Sequence, residues 1–430
     1  MVEERNVVLI TLDSVRADHC SFMGYHRKTT PSIDKMARKG LYFENAIATS
    51  VMTHASMISV LTGDYAPIRL EVTRPGPWRK VLSQRSTLPQ ILSKNGYSTG
   101  AFNPNPLVSS YFGFNKGFDY FQDFLSENFF DRIHYKILDR AVKSGGKGFV
   151  AVLRHVRNVI WREEMLKPWE SYYESIIKWV ERAEKPFFLW VFLVDTHHPF
   201  AAPRKYRKWG SFFDSWYVWY YFLKLYKEKW IMELPKAGRQ KLLDMYDNSI
   251  SYADAFVNRL WQDVKGEDPI FIIHADHGEA FGEHGFYGHI WYLYEELIHV
   301  PLVIYNADVK GRVEKPVSLL KLTPIILMLV DRKEDELYSL LENDSWAISE
   351  VLGDVRKVSV RLKDWKFITG QKKEDELYNL KEDPHEQNNL VEKHPKLVEG
   401  MRKIVINHIS KHEMVHVKEK VKKLKLERIW

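Results

Sequence analysis

Cysteine is almost absent from this chain: Cys20 is the single one in 430 residues. That excludes an intramolecular disulfide and suits a reducing compartment. Long apolar runs are missing too. The opening MVEERNVVLITLD sets two acids ahead of an apolar run far too short for a signal-peptide core or a membrane span. A soluble, cytoplasmic protein is therefore expected. No zinc-finger, RNP or helix-turn-helix pattern occurs, so nucleic acid is not an expected partner. The composition is not that of a disordered chain either. With 45% hydrophobic and 28% charged residues, it suits one large domain, or a large one with a smaller companion.

What charge imbalance exists is local. Lys and Arg outnumber Asp and Glu 63 to 56, a net charge of +7. Seven of those cations, against three Glu, fall in residues 411–430, leaving +4 there. Met414, Val417, Val421 and Leu424 recur at helical spacing, predicting a basic amphipathic terminal helix. Such a helix either docks on the body with a solvated basic face or makes peripheral contact with an anionic membrane.

Continuous apolar stretches at 6–12, 96–102, 187–194 and 269–275 predict short buried strands. Helix-like segments lie between them, at 30–40, 53–63 and 87–96. Alternation of this kind argues for an α/β fold with a mostly parallel sheet flanked by helices. The catalytic domain is expected to span 1–344, with an aromatic helical insertion at about 125–240. Within it, SFFDSWYVWYYFLKLYKEKW (211–230) has ten aromatics in twenty residues. Phe212, Trp216, Trp219, Leu223, Tyr226 and Trp230 are spaced like one helix face. It reads as a helical cap, a lid over the site or a lipid-facing surface. From about 345 to 410, short alternating segments predict a small antiparallel C-terminal subdomain.

Three of the apolar runs end in an aspartate: LITLDSVRADH, FFLWVFLVDTHHP and FIIHADHGE. In an open parallel sheet, ligands gather at the carboxyl ends of the strands, so Asp13, Asp195 and Asp276 are aimed there. His197, His198 and His277 stand beside the last two. One such Asp is an ordinary cap or turn residue, but three with neighbouring histidines suggest a metal site. Carboxylate oxygen with imidazole nitrogen favours Zn²⁺ or Mn²⁺, with Mg²⁺ or Ca²⁺ as alternatives. In TSVMTHASMISVLTG (49–63), Thr53 stands where a helix begins. The free N–H groups and dipole of a first helical turn favour an oxyanion.

These residues bring a family into view. LITLDSVRADH, SVLTGDYAP, VDTHHPF, YDNSISYADAFVNRL, ADHGEAFGEHGFYGHIWYLYEELIHVPLVIY and DELYNLKEDPHEQNNL occur in that order. The chain so resembles the sulfatase branch of the alkaline phosphatase superfamily. The resemblance implies that Asp13, Asp276 and His277 hold a metal and that the nucleophile position falls on Thr53. It implies substrate-contacting or proton-donating roles for His197 and His289, and a substrate contact for Asn105. Sulfatases carry Cys or Ser in C/S-x-P-S-R, matured to formylglycine, where this chain reads THASM. Threonine cannot give that aldehyde without losing its methyl, so no formylglycine is expected. The family's second acid after the first strand is Ser14 here.

Both departures resemble the phosphoryl-handling relatives. They imply hydrolysis of a small or lipid-like phosphomonoester or phosphodiester through a phospho-threonine. The alternatives are phosphoryl transfer to a lipid or glycan acceptor, and sulfuric ester hydrolysis without formylglycine. Asp195, His197 and His289 are candidates for a second metal site; without one, the two histidines serve as acid and phosphate donors.

Overall fold

In a computed structural model, described for residues 5–66, 75–123, 167–211, 213–343, 345–351, 357–370 and 373–426, the expected α/β architecture is present. The main strands are β1 (Val7–Leu12), β2 (Leu41–Phe43), β3 (Ser98–Asn103), β4 (Tyr120–Asp123), β5 (Phe187–Leu193), β6 (Ile270–Ala275), β7 (Leu302–Tyr305) and β8 (Gly311–Val313). They form one sheet in the order β8-β2-β7-β6-β1-β5-β3-β4. The central block β6-β1-β5-β3 is parallel, whereas β7 runs antiparallel to β6 and β2. Every residue of β1, β5 and β6 is buried. Cover on both faces is why their sequences are unbroken apolar runs rather than alternating ones.

The flanking helices include α1 (Pro31–Lys39), α2 (Thr53–Thr62), α3 (Asp214–Lys227) and α4 (Lys236–Val264). Helix α1 opens with proline at its first position, where no N–H partner is needed. Asp254 of α4 accepts the N–H groups of Ser32 and Ile33, fixing the N-terminus of α1 against α4. Helix α3 packs on α4. Its buried stripe is Val218, Tyr221, Phe222 and Leu225, while Trp216 is 66% exposed. This differs from the face read from the sequence. A helix with aromatics on nearly every side gives periodicity little to select, and packing on α4 chooses the stripe. Phe212, the side chains of Leu223 and Tyr226, and insertion residues 124–166 lie outside the described residues.

After the main sheet, β9 (Ala347–Val351), β10 (Lys357–Arg361), β11 (Trp365–Gly370) and β12 (Lys373–Asn379) form an antiparallel meander. Helix α5 (Pro395–Leu426) packs on β10 and β11. It starts well before residue 411, because Val398, Met401 and Val405 give its first turns an apolar face that the sheet buries. Lys366 on β11 is fully buried and pairs with Glu295 at 3.1 Å and Glu386 at 2.9 Å. This ion cluster ties the small sheet to Glu295, at the start of the short helix Glu295–Ile298. No helix among the described residues is long and apolar enough to cross a membrane.

Candidate active site and metal centre

Strand register decides which acids meet. Leu12 pairs with Ala275 on β6 and with Leu193 on β5. Asp13 and Asp276 are thus the next residues on adjacent parallel strands, side by side at their carboxyl ends. Val194 is the residue level with them on β5, so Asp195 comes one step later. Alternation of side chains sends a residue one step out of register to the other side. Accordingly, Asp195 Oδ1 accepts the N–H of Trp169 at 3.3 Å. Burial pushes its carboxyl up to about 8. The structure does not bring Asp195 together with His197 and His289; His198 joins those two instead.

Around Asp13 and Asp276 the acceptors converge. His277 Nδ1 bonds the Gly278 carbonyl at 2.9 Å, which leaves its Nε2 lone pair facing inward. That Nε2 lies 3.4 Å from Asp276 Oδ2, 4.0 Å from Asp13 Oδ1 and 3.2 Å from Thr53 Oγ1. Gly278 is required at the next position, since a Cβ there would collide with the Glu296 carbonyl. Ser14, with φ of 59°, donates its hydroxyl to Asp13 at 2.9 Å and its N–H to Asp276 at 3.1 Å. A hydroxyl in that place orients the neighbouring acids instead of adding a third carboxylate. Asn105 does similar work. Its amide donates to Asp13 Oδ2 at 2.8 Å, while its own oxygen accepts Leu107 N–H.

The electrostatics are those of a cation site. Burial, then repulsion from Asp276, raises the Asp13 carboxyl. Burial lifts Asp276 to about 6 and depresses His277 to about 3. Asp276 Oδ2 is buried and accepts no hydrogen bond. An orphaned carboxylate oxygen beside a second buried carboxylate and an inward imidazole nitrogen is costly unless a cation sits among them. Asp13, Asp276 and His277 therefore fit a divalent metal.

Thr53 is the first residue of α2, with Met52 as its cap. The N–H of Ser56 already reaches the Met52 carbonyl, so those of Thr53, His54 and Ala55 precede any intrahelical acceptor. Ser56 Oγ donates to the Asp276 carbonyl at 2.7 Å, locking the helix start to the end of β6. The Thr53 hydroxyl, the acids and the helix dipole thus share one point.

Four imidazoles line the remaining side. Ring centroids of His277 and His289 are 4.4 Å apart, and those of His197 and His289 are 5.2 Å apart. His197 Nδ1 donates to the His198 carbonyl at 2.9 Å and His289 Nδ1 to Glu279 Oε2 at 2.8 Å. Both rings are left with Nε2 unbound by those contacts. Burial opposes a charged His289, but Glu279 with Asp13 and Asp276 outweighs it and raises the imidazole. Glu279 would itself be raised by burial, yet His289 and His198 hold it well below the usual carboxylate range. Sequence reasoning missed Glu279, and noted His198 as a neighbour of Asp195 without giving it a role. The signal was present in D-H-G-E and in the doubled histidine of THHP.

With this geometry in hand, similarity to known proteins becomes specific. The sulfatase family model matches residues 5–331. The chain belongs to the sulfatase family. An arylsulfatase of Clostridium perfringens is 24% identical, over 95% of each chain. Among solved structures, the phosphonate monoester hydrolase of Agrobacterium radiobacter superposes with a TM-score of 0.67 at 19% identity, covering 95% of this chain and 96% of that one. A protein solved with its substrate D-glucosamine-2-N,6-O-disulfate also gives 0.67, at 16% identity over 96% and 98%. This chain is accordingly a hydrolase of the alkaline phosphatase superfamily, on a scaffold whose members act on sulfate or phosphate esters.

Proposed function

We propose that this sulfatase-family chain hydrolyses phosphate esters, monoesters or diesters, through a covalent intermediate on Thr53. The observation that carries this reading is the hydroxyl of Thr53, 3.2 Å from His277 Nε2 at the head of α2, where a formylglycine sulfatase needs Cys or Ser. Neither Cys20 nor Ser56 replaces it. Cys20 is buried with its thiol on the Arg16 carbonyl, and Ser56 is committed to the Asp276 carbonyl. The Agrobacterium phosphonate monoester hydrolase, with the same fold, is precedent for phosphoryl chemistry on this scaffold.

Asp13, Asp276, His277 and Thr53 would hold the metal, Zn²⁺ or Mn²⁺ by their donor types. Bound there, a divalent ion supplies a lower pKa for the Thr53 hydroxyl and charge neutralisation for the phosphoryl oxygens. Asp276, beside Thr53, would take its proton as Oγ1 attacks phosphorus. The N–H groups of the first turn of α2 face the oxygens that gain charge. His289, its Nδ1 fixed by Glu279, donates a proton from Nε2 to the departing alkoxide; His197 steadies the phosphoryl group. Neutral His289 then accepts a proton from water as water attacks phosphorus. That step breaks the Thr53 ester: Asp276 returns the proton to Thr53 Oγ1, and phosphate, or the remaining monoester of a diester, is released.

Acid quench during turnover of an aryl phosphate, followed by peptide mass spectrometry, should place one phosphoryl group on Thr53. Thr53→Ala should lose activity by more than the ~10²–10⁴-fold that acid–base effects alone contribute, while still binding metal. Retention of a hundredth of the rate or more would refute the nucleophile. The second reading, sulfuric ester hydrolysis without formylglycine, has the sulfatase relatives in its favour. Comparison of kcat/KM for matched aryl sulfate and aryl phosphate separates the two.

A further inference from the structure

Helix α3 carries large apolar groups that the core does not use. Trp216 is 66% and Tyr220 60% exposed, and Ile231, just beyond the helix, is 59% exposed. Residues 216, 220, 224 and 227 fall on one side of the helix by their spacing. The outward stripe therefore runs Trp216, Tyr220, Lys224, Lys227, with Lys229 exposed in the turn that follows. The opposite side is pinned: Val218, Phe222 and Leu225 are buried against the body. Exposure here is consequently a property of a fixed surface.

The same element borders the active site. Phe222 stacks on His198 with ring centroids 5.0 Å apart, and Trp230 lies 5.1 Å from it. The Trp230 carbonyl accepts the N–H of Tyr287 at 2.9 Å, two residues before His289. Ile231 follows directly. Trp230 and Ile231 thus link the end of α3 to the histidine side of the site.

We propose that the outer stripe of α3 docks on an anionic lipid bilayer, with Trp216, Tyr220 and Ile231 entering the headgroup region and Lys224, Lys227 and Lys229 meeting lipid phosphates. Charge selects this occupant. Between 224 and 229 three lysines face a single acid, Glu228. Among the described residues no carboxylate forms an ion pair with any of the three lysines. Trp and Tyr, each with an apolar body and one polar edge, settle at the membrane–water boundary. Lysines beside them add attraction to anionic headgroups. The proposal is independent of whether phosphate or sulfate esters are cleaved.

The test is co-sedimentation of the full-length chain with vesicles of phosphatidylcholine alone and with one part phosphatidylglycerol to two parts phosphatidylcholine. Wild type should sediment with the anionic vesicles and stay in solution with the neutral ones. The double variants Trp216→Ser/Tyr220→Ser and Lys224→Glu/Lys227→Glu should each partition roughly tenfold less or worse. Their turnover of a soluble aryl ester should match wild type, which shows that the fold is intact. Wild-type failure to sediment with anionic vesicles would overturn the proposal. So would either double variant sedimenting like wild type. Charge reversal of the lysines in 411–430 that abolishes binding, with the α3 variants still bound, would assign the membrane contact to the tail and overturn it equally. Sedimentation velocity showing a dimer that Trp216→Ser converts to monomer would assign the stripe to a second copy.

Discussion

Glu279→Gln isolates what a buried charge does for the reaction. Glu279 is 1% exposed, accepts His289 Nδ1 at 2.8 Å and lies 3.7 Å from His198 Nδ1. Gln keeps the shape and an acceptor oxygen but removes the charge. Hydrogen bonds to ionised groups are worth ~1.5–3 kcal/mol against ~0.5–1.5 for neutral ones, so the imidazolium of His289 loses about 1–1.5 kcal/mol. That corresponds to a roughly five- to tenfold slower step wherever His289 must hold and deliver a proton. Glu279→Ala also frees the ring to turn and should cost on the order of 10–100-fold, as loss of groups behind a site does elsewhere. The assay is kcat/KM on two phosphate esters, one with an alkyl alcohol and one with nitrophenol as leaving group. An alkoxide needs the proton; nitrophenolate leaves without it. The Gln variant should therefore slow the alkyl ester by about five- to tenfold and leave the aryl ester nearly unchanged. Equal loss on both would refute proton donation by His289 and leave Glu279 a purely structural group.

Asp276→Ala should lose the metal by elemental analysis; unchanged occupancy would mean that the strand-end acids do not hold it. In wild type, titration of apo-protein should reach full activity at one equivalent if only Asp13, Asp276 and His277 bind; a requirement for two would recruit His197, His198 and His289. Lys366→Met strands Glu295 and Glu386 in the interior and should cost ~3–5 kcal/mol, read as a fall of Tm by several degrees. Glu296 is raised to about 8 by burial and by Glu283. The folded chain thus keeps a proton that the unfolded chain releases near 4.5, and stability falls as pH rises between those values. Glu296→Gln should flatten that dependence, measured as Tm at pH 5 and pH 8 in wild type and variant.

Much of the fold was legible because each central strand is a short, uninterrupted apolar run. Strands read at 6–12, 187–194 and 269–275 correspond to Val7–Leu12, Phe187–Leu193 and Ile270–Ala275. Double-sided burial writes that signature directly into sequence. The facing of α3 was not legible, since aromatics surround it and tertiary contact with α4 selects the buried side. The early start of α5 was hidden for the opposite reason. Its first turns fall in the stretch read as antiparallel strands, and the sheet of β10 and β11 gives Val398, Met401 and Val405 something to bury against.

At the site, sequence reading located the acids but could not supply register. Asp13, Asp195 and Asp276 look equivalent in the chain, each at the end of an apolar run. Pairing separates them: Leu12 is level with Leu193 and Ala275, which puts Asp195 a residue too late and turns it to Trp169. The same offset explains why histidines rather than a carboxylate face Asp13 from β5. The chain turns back there, with His197 N–H on the Val194 carbonyl at 3.0 Å, and the turn carries both imidazoles toward His289. One side of the cleft is therefore anionic and the other imidazole-rich, with the Thr53 hydroxyl against the junction. On the proposed mechanism that asymmetry suits an in-line displacement: Thr53 attacks beside the carboxylates, and the leaving oxygen departs toward imidazoles that can give it a proton.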